Sequence, residues 1–335
     1  GYGVTDFNYL VLNSNNGLDK NGYNYGTQIE PTIEKDLNFG LVGLWHLNEA
    51  SGTTANDSSV YGNNGTYTNS PTLATGLWDT NARTFDGVND YITIPSSSSL
   101  NTGSNITLSF WAKPTSFTLT SSGDMITIIT KGVNADAAMD YFIGLTSSGY
   151  LRIYFYSGGV WNGVEVASAN PLTLNRWNYI TVTFTGSTGK LNVYINGALN
   201  KTSTLVVGSI QSSAGPLKIG TYNPGGYYSN YFPGQLEDVA IWNRALDANE
   251  IKEIFNKGSS RIGVKYRSCE SSSSCTSAWS ALSYFSTSNQ LSLDSLDGNQ
   301  FMQYALYPSL YQFPDGNYFP TAFATIRDVN LVYTN

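Results

Sequence analysis

An all-β sandwich is the fold class this sequence predicts, and three observations predict it. The first is a period of two in the segments at 91–95 and 106–113: Ile92 and Ile94 share one face, as do Ile106, Leu108, Phe110 and Ala112. A strand with one buried face requires that period. The second is composition. Only 12% of the 335 residues are charged, whereas Tyr (24) and Gly (33) abound beside Asn, Ser and Thr, as in turn-rich β proteins. The third is that a single stretch, 247–257, carries a full set of helix signals.

Residues 1–39 are the first predicted unit. Val4 to Asn13 sets Phe7, Tyr9 and Val11 against Asn8, Leu10 and Leu12, which reads as a strand, and an Asn- and Gly-rich loop follows it. Such an apolar strand is expected to pair with the C-terminal strands of its own chain or with a neighbouring subunit, because free edges invite aggregation.

The sandwich is expected over 40–258. Its first strand, 41–47, contains His46, the only histidine, read as structural, and 50–71 is read as a long polar loop. Asp86-Gly87 and Asn89-Asp90 supply turn chemistry, and Pro114, which cannot donate to a ladder, closes the strand that begins near 106. Strands follow at 125–131, 141–145 and 150–156. A hairpin joins 177–184 to 190–197, and Asn196-Gly197 marks a tight turn after it. In the helix, Asp247 and Glu250 make a capping box, Ile251, Ile254 and Phe255 form the apolar stripe, and Gly258 is the expected stop. From 259 to 335, five short alternating segments predict a smaller C-terminal β-sandwich.

Several stretches also carry a family resemblance in constant order: GLWHLNEASG (43–52), FDGVNDYITIP (85–95), ITLSFWAKP (106–114), RWNYITVTFTGSTGKLNVYINGAL (176–199), LKIGTY (217–222) and FPGQLEDVAIWNRALDANEIKEIF (232–255). Together they resemble the concanavalin A-like, laminin-G-like (LamG, pentraxin-related) jelly-roll family, over about 41 to 258. The resemblance implies a laminin-G-like jelly roll, a fold that hosts lectins, adhesins, glycosidases and passive spacers. It also implies a structural Ca2+ held by oxygen donors. Asp238, in LEDVAI, matches the C-terminal acid of that pattern and Glu49 the N-terminal one, with Asp57 and Asp86 as nearby candidates; each of these carboxylates equally suits a turn cap. The loop with Asn134, Asp136 and Asp140 is similar in place and polarity to the pentraxin ligand loop.

The chemistry that the chain lacks narrows its function. A net charge of −7 leaves no basic patch for phosphate backbones, so nucleic acid is not an expected partner. No apolar run reaches the roughly 18 residues of a membrane helix. Laminarinase-like relatives place their carboxylates as Glu-x-Asp-x-x-Glu, a run that does not occur here; Glu237 and Asp238 are adjacent, and alternation would send them to opposite faces. With one His and no GxSxG, HExxH or phosphate-cradling loop, the chain is not expected to be an enzyme. Cys269 and Cys275 suit a disulfide across a hairpin tip better than a zinc site, which needs four ligands, and two free thiols are the alternative. An oxidised pair would favour a secreted or surface location.

Ligand contacts are expected from exposed aromatics beside amides: Trp161 with Asn162, and Tyr222, Tyr227, Tyr228 and Tyr231 in the loop 222–231. Such loops stack on sugars and also contact proteins. The expected function is that of a secreted or cell-surface, non-catalytic adhesion or recognition protein that binds a glycan or a surface protein. The alternatives are a filament subunit that self-assembles by strand addition and an accessory module of a polysaccharide hydrolase.

Overall fold

A computed structural model describes residues 37–77, 81–120, 123, 125–132, 139–165, 170–222, 230–269, 283–284 and 301–310. Val4 to Asn13 lies outside the described residues. Strands are numbered in chain order. One antiparallel sheet, A, runs β14 (Ala198–Thr204), β13 (Lys190–Ile195), β12 (Asn178–Thr185), β7 (Asn105–Pro114), β16 (Pro233–Trp242), β5 (Asn81–Asp86) and β4 (Thr72–Thr75), with β1 (Leu41–Trp45) also pairing β16. The other, B, runs β11 (Val160–Glu165), β10 (Leu151–Ser157), β9 (Met139–Leu145), β8 (Ile126–Gly132), β15 (Leu217–Ile219), β6 (Tyr91–Ile94), β3 (Gly65–Thr68) and β2 (Thr54–Ala55).

The period-two residues close the space between the sheets. Ile106, Leu108, Phe110 and Ala112 of β7 meet Ile180, Val182 and Phe184 of β12 on the inner side of sheet A. From sheet B, Ile92, Ile94, Ile143, Ile153 and Phe155 fill the same core. A second apolar layer covers the other side of sheet A, where Trp111, Tyr179 and Trp242 pack under Ile251, Ile254 and Phe255 of the helix α1 (Ala248–Ser259). The capping box is present: Asp247 Oδ1 accepts from the Glu250 N–H at 3.0 Å, and Glu250 Oε2 accepts from the Asp247 N–H at 2.7 Å. At the β13–β14 turn, Asn196 (φ 53°) and Gly197 (φ 73°) both take the left-handed conformation that this tight turn demands.

Three expectations change. The polar stretch 50–71 contains β2 and β3, because Ala55 and Tyr67 point inward and β3 pairs β6. Gly258 does not stop the helix; it lies within α1 where a Cβ would come 2.8 Å from the Trp111 ring, so the backbone needs its smallness. Glu237 and Asp238 do not alternate. The register of β16 shifts between Glu237 and Ala240, and Asp238 takes φ 51°, a bulge that keeps Leu236 and Val239 in the core while both acids leave it. At the C-terminal end, the described residues form one antiparallel sheet: β17 (Ser260–Cys269) between β18 (Ser283–Tyr284) and β19 (Phe301–Leu310). The segments expected at SerAlaTrpSer, at GlnLeuSerLeu and beyond 310 lie outside the described residues.

Candidate functional site

The outer face of sheet B follows from the same alternation. On β10, Leu151, Ile153 and Phe155 enter the core while Arg152, Tyr154 and Tyr156 are left half-buried. Register carries the outward row across the sheet: Tyr154 lies opposite Phe142, Phe142 opposite Thr130, Thr130 opposite Lys218, and Lys218 opposite Thr93. At the β11 end, Trp161 keeps 39% of its surface exposed, faces Tyr156 across the ladder, and stacks on Tyr154 with centroids 5.6 Å apart and planes 4° from parallel. On the other side of Tyr154, Phe142 packs on Tyr222 at 5.5 Å. Four aromatic residues, Trp161, Tyr154, Phe142 and Tyr222, therefore line up across three strands and one loop. The Tyr222 carbonyl accepts from Lys218 Nζ at 3.1 Å, and burial pushes that amine below the usual lysine range.

Two residues expected at a binding surface, Trp161 and Tyr222, thus share this face. Tyr231 sits elsewhere on the sheet, against Tyr91 at 6.3 Å, and Tyr227 and Tyr228 lie outside the described residues. Asn162 is occupied. Its Nδ2 donates to the Ser157 and Val160 carbonyls at 3.2 and 3.0 Å, and its Oδ1 accepts from the Val206 N–H at 3.4 Å, so it pins the β10–β11 turn instead of offering an amide to a ligand. Tyr154 and Phe142 were hidden inside strand patterns, although the Leu-Arg-Ile-Tyr-Phe-Tyr alternation already marks which residues face outward.

The four carboxylates read as calcium candidates each serve the protein's own donors. Glu49 Oε1 accepts from the Asn56 N–H at 2.7 Å and Oε2 from the Tyr67 hydroxyl at 2.6 Å; burial first, and then Glu49, pushes that phenol far above its ordinary range. Asp57 accepts from the N–H of Leu44 and Ser59 on one oxygen and of Asn63 on the other. Asp86 Oδ1 collects the N–H of Val88, Asn89 and Asp90, the turn cap that its Gly87 neighbour suggested. Asp238 is buried, with Oδ1 2.5 Å from His46 Nδ1. Backbone and side-chain donors surround Glu49, Asp57 and Asp86, and His46 faces Asp238, so each acid has a partner within the protein. Among the described residues, no three His, Cys, Asp or Glu side chains gather into a group that could hold an ion.

Asp140 of the expected ligand loop is instead paired with Lys131, and Asn134 and Asp136 lie outside the described residues. Cys269 ends β17, and Cys275 also lies outside them. Glu237, 2% exposed, accepts from the Leu77 N–H at 2.9 Å; neither it nor Asp238 opens onto solvent as a hydrolytic acid would.

A family model described as the concanavalin A-like lectin/glucanases superfamily matches residues 85–252. No curated protein sequence matches the chain. Among solved structures, the binding domain of Paraclostridial Mosquitocidal Protein 1 is similar at TM-score 0.52 and 19% identity, over 71% of this chain and 62% of that one. The receptor binding domain of botulinum neurotoxin mosaic serotype C/D gives 0.51 and 16%, over 69% and 57%. That of botulinum neurotoxin type G gives 0.50 and 18%, over 66% and 52%. This chain spans less than two thirds of each, and at these identities the likeness is one of fold.

Proposed function

Because the chain belongs to the concanavalin A-like lectin/glucanases superfamily, we propose that it is an extracellular, non-catalytic binding module whose outer sheet B face takes a glycan. The observation that carries this reading is the exposed Trp161 ring, held parallel to Tyr154 and continued by Phe142 and Tyr222. Sugar rings present flat C–H faces that stack on aromatic planes, and a rigid platform binds them without the cost of ordering a loop. The toxin structures of similar fold are binding domains, which favours recognition over turnover. The polar, Tyr-rich composition with few charged residues suits an extracellular surface.

A glycan array followed by calorimetry on the best ligand tests the assignment. Trp161→Ala should weaken binding up to about tenfold, since an aromatic contact is worth about 0.5–1.5 kcal/mol. Ligand affinity unchanged in both Trp161→Ala and Tyr154→Ala would place the site elsewhere. One observation favours a second reading, a protein partner. Val160 (45% exposed), Val206 (45%) and Val207 (56%) lie around the turn next to Trp161, an apolar rim that sugars do not need.

A further inference from the structure

Lys131 stands where the fold calls for an apolar side chain. Its neighbours across the ladder, Tyr141 on β9 and Leu217 on β15, both belong to the core between the sheets, and Lys131 itself is 0% exposed. Its Nζ meets Asp140 Oδ2 at 2.5 Å, Asn101 Oδ1 at 2.9 Å and the Ser213 carbonyl at 3.3 Å. Asp140 is 1% exposed, sits at the bulge where β8 and β9 slip register, and accepts from the Ser213 N–H at 2.9 Å on its other oxygen. Burying an ammonium and a carboxylate costs several kcal/mol per ion before their attraction offsets it, so an interior Lys and Asp are not what packing alone selects. An amine, a base in contact with it and a carboxamide within reach are the parts of an acyl transfer.

We propose that Lys131 and Asn101 join in an intramolecular isopeptide bond, with Asp140 carrying the proton. Asp140 takes a proton from the Lys131 ammonium, and the freed lone pair attacks Cγ of Asn101, forming the new C–N bond and pushing the carbonyl pair onto Oδ1. Asp140 then returns its proton to the carboxamide nitrogen and removes the surplus proton from Nζ. The carbonyl re-forms, the old C–N bond breaks, and ammonia leaves, taking the last proton from Asp140 as ammonium. The net change converts one ammonium and one carboxamide into a secondary amide and a released ammonium; nothing is oxidised or reduced, and Asp140 ends as the carboxylate it was. Asn101 is exposed, which gives the leaving group a way out, and holding the reactants in contact supplies the effective concentration that free amines and amides lack. The product removes a buried cation and staples the segment before β7 to β8.

Intact mass spectrometry of the reduced full chain reads this directly. The wild type should weigh one ammonia less than its sequence, and a digest should yield one branched peptide containing both Asn101 and Lys131. Asn101→Ala, a change at an exposed position, should restore the full sequence mass, as should Lys131→Met and Asp140→Asn where they fold. A wild-type chain at full mass overturns the proposal. So does an ammonia deficit that persists in Asn101→Ala, which would trace to cyclised asparagines elsewhere, or a deficit of one water, which would join Lys131 to Asp140.

Discussion

Asp57 accepts hydrogen bonds from the N–H of Leu44, Ser59 and Asn63 and from the Ser59 hydroxyl, so one side chain ties β1 to the 57–63 turn. Asp57→Ala leaves the Leu44 N–H, inside the fold, without an acceptor. The expected loss in a denaturant melt is about 1–3 kcal/mol for that donor, and adding a chelator should not alter it.

The Asp86 turn gives a pH-dependent counterpart. Partial burial pulls the Asp86 carboxyl up, but the N–H groups of Asn89, Val88 and Asp90 outweigh it and hold the acid below the usual range. Asp90 is shifted the other way, by burial first and then by the Asp86 charge. A carboxyl raised on folding makes its ionised form a cost, present above the folded pKa and relieved as pH falls through it. Asp90→Asn should therefore melt higher than wild type at pH 7, with the gap closing below the ordinary aspartate range; a gap independent of pH would show that the Asp90 charge is not its cause. The Asp86 turn was legible because its partners lie within four residues, whereas Asp57 reaches Leu44, 13 residues away, which no local pattern encodes.

At the scale of elements, β7, β10, β12 and β13 fall within about two residues of their sequence signals, because alternation is written into each strand by itself. Helix α1 was legible for the same reason, its cap and stripe being local. Its end was not. Gly258 reads as a C-cap until the Trp111 ring is seen lying against it, and that contact joins residues far apart in sequence. The bulge at Asp238 was equally hidden, since it exists only relative to the pairing of β16 with β7 and β1. The cap supplies the test. Asp247→Ala should cost about 0.5–2 kcal/mol in a reversible melt. Glu250→Ala should cost more, because Glu250, 3% exposed, also binds Arg244 Nη1 at 2.8 Å, and its loss strands that partner. Equal effects would mean that the Arg244 contact contributes nothing beyond the cap.

For the whole molecule, the described residues cover the two sheets differently, and the proposed ligand face follows from that difference. Trp111 on β7 and Tyr154 on β10 read alike as outward aromatics in alternating strands, yet Trp111 is 2% exposed beneath α1 while Tyr154 is half-buried on a face that no described helix covers. Nothing in either strand says which; the helix and the chain leading into β1 decide it. Leu37 is fully buried in the layer on sheet A, and its carbonyl accepts from the Trp242 indole N–H at 2.7 Å. Leu37 therefore belongs to the sandwich, a few residues ahead of β1, and among the described residues both apolar layers lie within 37–255. A fragment 37–259 should fold alone, with native-like far-UV dichroism and one cooperative transition. A fragment 41–259 should be weaker by about 1.5–3 kcal/mol for the lost Leu37 burial and about 1–3 kcal/mol more for the orphaned indole N–H. If 37–259 is unfolded and regains structure only when 260–335 is restored, the sandwich borrows its stability from the C-terminal sheet and is not a unit of its own.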